Sequence, residues 1–427
     1  MKREAGTGQA EWPVNSPTDW REKEKPLDQV IREHPHVSPF VILKADVQRR
    51  GVLFSQAALE AADPAVHQMQ YSECVREQAE KNTPASLIMR DGTSILTGYA
   101  SRFAAREPYL VDCVDGKIVL IDEGRVLDEV FYWEKPDFYD HVTSTGKPMA
   151  DVVSARPQRL DIYPHHYCEF WDTPGHGCKY CAAQAISKKA DEKNHLHTVQ
   201  EIAETVELAL RQPGRFENIF LTAGSMLGGK ELLDDEVEMY IEVLQAIGKF
   251  FGGRRFPSQL IGTAYDRRQL QRIYDETGLM SYTADIEVLG EAPFNWICPG
   301  KAARIGYEEW KERLYQAVEI FGRGYVNTGL VGGVENARPN GFATEEEALE
   351  STLAEAEELS RNGVAVQAAV WTVSEGSIFF RQQTPSLEYF VRLAEGLDSL
   401  RRQYGLPIDM DNYRRCGNHP DTDLSRI

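Results

Sequence analysis

From about residue 158 onward, short apolar and β-branched runs alternate with longer segments in which apolar positions recur every three or four residues. The runs RLDIYPH (159–165), ENIFLT (217–222), SQLIGT (258–263), YTADIEVL (282–289), YVNTGLV (325–331) and VAVQAAVWTV (364–373) read as strands. The segments between them carry helix-start signals. Thr198 with Glu201 and Thr344 with Glu347 fit capping boxes, and Thr384 before Pro385 fits an N-cap with proline in the first turn. Six strand–helix units in succession predict an α/β fold on a parallel sheet. Because a closed barrel needs about eight strands, the expectation is an open, partial (βα)6 barrel over residues 158–385. Its active site should lie at the carboxyl ends of the strands.

The pattern differs on either side. Residues 1–45 are polar and punctuated by Pro13, Pro17, Pro26, Pro35 and Pro39, which predicts a loosely ordered arm. Residues 46–157 combine a helical stretch, LFSQAALEAADPAVHQMQYSECVREQAEKN, with strand-like YLVDCVDGKIVLI, whose Asp115-Gly116 pair reads as a hairpin turn. This is expected to be a small α+β accessory domain. Residues 386–427 are expected to form a final helix and a tail that caps the barrel mouth.

Composition narrows the function. A formal charge of −19 argues against a nucleic acid or an anionic membrane as partner. No run of about 18 apolar residues occurs, and the start MKREAGTGQAEWPVNSPTDW lacks the apolar centre of a signal peptide, so a cytoplasmic location is expected. The seven cysteines are odd in number and three are clustered, which favours metal binding in a reducing compartment over a disulfide framework.

Those three carry the chemistry. In YPHHYCEFWDTPGHGCKYCAAQ, Cys168, Cys178 and Cys181 are spaced C-x9-C-x2-C, just after the first strand of the repeat. A [4Fe-4S] cluster normally takes four thiolates, so three leave one iron open to an external ligand such as S-adenosylmethionine (SAM). The competing reading is a structural zinc site in which His176, His165 or His166 supplies the fourth ligand.

The stretch CKYCAAQ resembles the corresponding segment of biotin synthase and its relatives, the radical SAM enzymes. The resemblance spans roughly residues 158–380. The usual spacing there is C-x3-C-x2-C; a nine-residue first gap occurs in some branches, including the catalytic subunit of elongator. The segment IEVLGEAPFNWICPGKAARIGYEEWKERLYQAVEIFGRGYVNTGLVGG is similar to a biotin-synthase-like family found beside nitrilases.

The resemblance implies a set of SAM contacts. Tyr180, before the third cysteine, would lie near the adenine. Thr222-Ala223-Gly224-Ser225 matches the turn that meets the methionyl amine, with Ser225 in place of the usual acid. Asp285 and Glu287, two apart on the fourth strand, share a face; Glu287 is expected to bind the ribose, against the alternative of an ordinary salt-bridged pair. Arg313 is expected to pair with the methionyl carboxylate, with Lys311 its near competitor. Gly329 and Val331 in the glycine-spaced segment running to Glu335, and Trp371 with Thr372 on the sixth strand, would lie along the adenosyl group.

The other cysteines, Cys74, Cys113, Cys298 and Cys416, are scattered, so a single iron–sulfur centre is expected. The resemblance to biotin synthase implies strand-borne cysteines for sulfur insertion, and strands two to six contain none, so that route is not expected. Cys298 and Cys416 are weak candidates for a hydrogen-atom donor, with bystander roles the plainer reading. Together these point to an oxygen-sensitive enzyme that cleaves SAM reductively and removes hydrogen from a small molecule. Its electron would come from a low-potential donor such as flavodoxin or ferredoxin. The alternatives are a zinc-stabilised α/β binding protein, or an enzyme that transfers the 3-amino-3-carboxypropyl group of SAM.

Overall fold

The structure, a computed structural model, describes residues 20–70, 83–96, 106–165, 167–183, 197–406 and 417–425. Seven strands, β7 (Val153–Ala155), β8 (Arg159–Ile162), β9 (Asn218–Thr222), β10 (Phe256–Gly262), β11 (Leu279–Ala284), β12 (Val326–Gly332) and β13 (Ala365–Val370), lie side by side in chain order. All neighbours from β8 to β13 pair in parallel, which is the expected six-stranded partial barrel. β7 adds an antiparallel strand at the β8 edge, so the sheet begins before residue 158.

Alternation along these strands separates two environments. Leu160, Ile162, Ile219, Leu221, Leu260, Tyr282, Leu330 and Val366 pack into the main core beneath the helices. The opposite face is polar yet buried: Arg159, Asp161, Gln259, Thr283, Asn327 and Gln367. Several of its groups pair with one another, which offsets the cost of burying them. Arg159 Nε donates to Asp161 Oδ1 at 2.6 Å, Gln259 Nε2 to Thr283 Oγ1 at 2.8 Å, and Gln367 Nε2 to Asn327 Oδ1 at 3.2 Å.

A second sheet carries β1 (Val52–Phe54), β2 (Ser86–Met89), β3 (Ser94–Leu96), β4 (Tyr109–Val114), β5 (Lys117–Asp122) and β6 (Arg125–Tyr132), in the order β1-β4-β5-β6-β2-β3. β4 and β5 form the expected hairpin, with Asp115 (φ 51°) and Gly116 (φ 77°) both left-handed. Only the β1–β4 pairing is parallel among the described residues. The long helix expected from Leu53 onward shrinks to Gln56–Glu60, because Val52–Phe54 is claimed by β4 and residues 67 and 69 form bridges; 71–82 lie outside the described residues.

The segment expected to be a loose arm is helical over Leu27–Glu33 and Pro39–Arg50. Every residue from Val41 to Arg50 is buried. Val41, Ile42 and Ala45 enter the main core and Leu43 and Val47 the smaller one, so this helix joins the two. Its charges are paired: Lys44 Nζ donates to Asp423 Oδ2 at 2.6 Å, and Asp46 accepts from Arg49 Nη2 and the Tyr109 hydroxyl, each at 2.5 Å.

Both capping boxes form as read, at Thr198 and at Thr344. The helix Leu387–Tyr404 instead takes Ser386 as its N-cap, because Thr384 Oγ1 accepts from Arg106 Nη1 of the accessory domain at 2.7 Å. That helix packs on β13 and on Glu345–Arg361 as the sixth helix of the barrel, rather than as a separate cap. The tail residues 417–425 are held by Asp421, which accepts from Arg401 Nη1 at 2.6 Å and from the Ala368 amide at 3.2 Å. Among the described residues no helix is long and apolar enough to cross a membrane.

Candidate active site

A cavity of about 300 Å³ opens at the carboxyl ends of β8 to β11. Cys168, Cys178, Cys181 and Tyr180 line it on one side, Thr222, Gly224 and Ser225 on another, and Asp285, Glu287 and Lys301 on a third.

Each cysteine is positioned by backbone. The Glu169 amide donates to the Ser225 carbonyl at 2.8 Å, and the Leu227 amide donates to Glu169 Oε2 at 2.5 Å, tying the start of the loop to the turn after β9. That turn requires glycine: a Cβ on Gly224 would stand 1.9 Å from the Tyr167 carbonyl oxygen, beside Cys168. The other end of the loop docks on the helices Glu291–Ile297 and Pro299–Arg304, where the Lys179 amide donates to the Ile297 carbonyl and the Gly300 amide to the His176 carbonyl, both at 2.9 Å. The Ala183 amide donates to Cys181 Sγ at 3.3 Å.

Burial pushes the Cys168 thiol up to about 11 and that of Cys181 to about 12, so both favour the neutral form until something positive binds. Cys178 is held down instead, chiefly by a hydrogen bond with Cys298. Cys298, 117 residues further along the chain by its numbering from Cys181, is thus a spatial neighbour of the cluster loop. It is fully buried and does not line the cavity. Cys416 and Cys74 lie outside the described residues, as does His166. A single zinc ion draws thiolates to about 2.3 Å, hence roughly 3.8 Å from one another. Here the three sulfurs do not all lie within 4.8 Å of one another.

On the third wall, Asp285 and Glu287 lie just beyond β11, which ends at Ala284 rather than continuing to 289. Glu287 leaves the strand conformation at φ 72° but stays tied to β12: its amide donates to the Gly329 carbonyl at 3.0 Å, and the Val331 amide donates back to its carbonyl at 2.8 Å. Asp285 Oδ1 accepts from the Gly329 amide at 2.7 Å, and a Cβ on Gly329 would be 2.6 Å from that oxygen. Burial, reinforced by the charge of Glu287, raises Asp285 to about 6. Lys301 Nζ donates to Glu287 Oε1 at 2.7 Å and to the Asp285 carbonyl at 2.6 Å. Burial disfavours its charge, yet Glu287 and the neighbouring thiols more than reverse this and hold it protonated.

The other expected contacts stand back from the cavity. Gly329 and Val331 act through Asp285 and Glu287, as above. Trp371 is buried, its amide donating to the Gly332 carbonyl at 3.1 Å and its ring 6.0 Å from that of Phe379. Arg313 donates to the Ala264 carbonyl at 2.9 Å and to Glu309 at 2.7 Å. Lys311 is bound to Glu358 at 2.9 Å and Glu355 at 3.4 Å. The lysine that does line the cavity, Lys301, escaped sequence reasoning, as did Glu236. In the first turn of Asp234–Gly248, Glu236 accepts from the Met226 amide (2.8 Å), the Thr263 amide (3.0 Å) and the Tyr265 hydroxyl (2.5 Å), binding the turns after β9 and β10 together. An acid opening the helix after the second barrel strand was the available signal for it.

The described residues thus form a parallel partial barrel with a three-thiol loop over its strand ends. No family model matches the chain. It is 24% identical over 389 residues to a bacteriochlorophyllide c C-7(1)-hydroxylase from Chlorobaculum limnaeum, covering 87% of this chain and 88% of that protein. Among solved structures it is similar to methylornithine synthase (TM-score 0.38, 17% identity, 58% of this chain and 70% of that one). It is also similar to the cobalamin-dependent S-adenosylmethionine radical enzyme OxsB (TM-score 0.33, 11% identity, 73% of this chain and 48% of that one).

Proposed function

We propose that Cys168, Cys178 and Cys181 hold one [4Fe-4S] cluster with an open iron, and that the enzyme removes a hydrogen atom from a small polar molecule. When bound, the cluster and SAM supply the chemistry: an electron passes to the sulfonium and releases a 5'-deoxyadenosyl radical. The observation that carries the reading is that three thiols share one cavity with a glycine-tight backbone turn and a buried lysine–carboxylate pair. The spread of the sulfurs favours a multi-iron cluster over one zinc ion, and the fourth cysteine, Cys298, hydrogen-bonds Cys178 and is not among the residues lining the cavity.

The residues divide the remaining work. Lys301 brings a positive charge into a low-dielectric site, where it favours the thiolates and a bound carboxylate. Glu287, fixed by Lys301 and by β12, is the proposed acceptor for the ribose hydroxyls. The turn Thr222-Ala223-Gly224-Ser225 offers backbone to the methionyl end, and Tyr180 lines the wall proposed for adenine. The polar inner face continues from Asp285 down to Gln259, whose Oε1 is buried without a hydrogen-bond partner, which favours a hydrogen-bonding substrate. A low-potential flavodoxin or ferredoxin is the proposed electron source.

The test is product analysis. Reconstituted under anoxia and given SAM and dithionite, the enzyme should form 5'-deoxyadenosine, and a Cys178→Ala variant should not. Methylthioadenosine instead would mean transfer of the aminocarboxypropyl group.

A further inference from the structure

Away from the cavity, a second group of metal-binding side chains converges. His34 and His36 flank Pro35 in the turn between the helices Leu27–Glu33 and Pro39–Arg50, and Glu395 projects from the last barrel helix, Leu387–Tyr404. His34 Nδ1 is 2.9 Å from Glu395 Oε2, and His36 Nε2 meets the other oxygen, Oε1. One ligand atom from each of the three residues lies within 4.8 Å of the others, the sole such group among the described residues.

We infer that His34, His36 and Glu395 form a site for a divalent transition ion of the zinc class, clipping the amino-terminal helices to the barrel. The donor set, two imidazole nitrogens and a carboxylate, is one that zinc accepts, at about 2.0–2.2 Å per ligand. Two ligands are pre-placed, since the His34 and Glu395 side chains are 12% and 20% exposed, while His36 at 71% closes from solvent and leaves a fourth position for water. Glu395 Oε1 is shielded from water yet accepts no well-formed hydrogen bond, so the His36 contact does not satisfy it as a donor would. Arg392, on the same helix three residues before Glu395, is committed to Glu346 at 2.8 Å. The rival is a plain imidazolium–carboxylate pair, which needs no ion.

The cluster-loaded enzyme should be dialysed against zinc chloride, then against metal-free buffer, with zinc and iron counted together. The site predicts about one zinc per chain in addition to the cluster iron, and a melting temperature that rises with zinc. His36→Ala, at an exposed position, and Glu395→Gln should each lower zinc retention about tenfold or more and abolish the thermal response, with iron unchanged. Equal zinc in wild type and variants overturns the site. So does a wild type that holds no zinc but loses stability on substitution, which is the ion pair alone.

Discussion

Lys301 donates a 2.7 Å hydrogen bond to Glu287, and the two side chains reach the same cavity wall from different elements: one from the helix Pro299–Arg304, the other from the left-handed residue that follows β11. Removing one member strands the other, and an uncompensated buried charge costs more than the pair contributes. Lys301→Met should therefore weaken SAM binding to the reconstituted enzyme about tenfold or more, about 1.4 kcal/mol per tenfold. Glu287→Gln, which keeps a neutral hydrogen-bonding side chain, should weaken it less. Equilibrium dialysis with labelled SAM gives both numbers; equal affinities in all three proteins would remove Lys301 from the site.

Gly224 lets the turn after β9 lie against the cluster loop. A methyl group there meets the Tyr167 carbonyl at 1.9 Å, a backbone atom that cannot rotate away. Gly224→Ala should displace Cys168 and leave the purified protein with well under half the iron of wild type, while its circular dichroism is unchanged. Full iron occupancy would show that the loop is free to move.

Glu335 predicts a pH dependence unrelated to catalysis. Burial pushes its carboxyl up to about 7, and it turns away from the cavity to the Tyr389 hydroxyl and the Gly333 amide at 3.0 Å. A raised folded value means the neutral form stabilises the fold. That contribution is full below the unfolded value, near 4.3, and is lost as pH rises through about 7. Glu335→Gln should thus match wild type near pH 4 and exceed it at pH 8. Urea midpoints across that range measure the effect, and parallel curves would contradict it.

Asp46 links the two cores. Burial alone would raise it, but Arg49, Arg50 and the Tyr109 hydroxyl hold it down at about 2. Asp46→Ala leaves those arginines buried without their shared partner and should cost about 3 kcal/mol. Chemical denaturation should show the loss in the barrel as well as in the accessory domain.

Much of the barrel was legible in sequence, because its strands are compact β-branched runs and its helices begin at the capping boxes of Thr198 and Thr344. The end of the fourth strand was not: IEVL is as apolar as the strand before it, and only the left-handed Glu287 turns it out of the ladder. The helix Pro39–Arg50 was hidden for a different reason. Lys44, Asp46, Arg49 and Arg50 look solvent-facing until partners hundreds of residues away, Asp423 and Pro385, are brought to them. The cysteine triad announced itself by spacing, whereas Lys301 sits in WICPGKAAR with no local pattern to mark it, and Cys298 meets Cys178 only through the docking of that same helix pair.

The central claim is tested most directly by electron paramagnetic resonance of the reduced, reconstituted enzyme, with and without SAM labelled by 15N at its amino group. The account predicts a spin-half [4Fe-4S] signal whose shape changes on addition of SAM, with electron-nuclear coupling to the labelled nitrogen. A signal indifferent to SAM, with no such coupling, would mean that the fourth iron is closed and would contradict it.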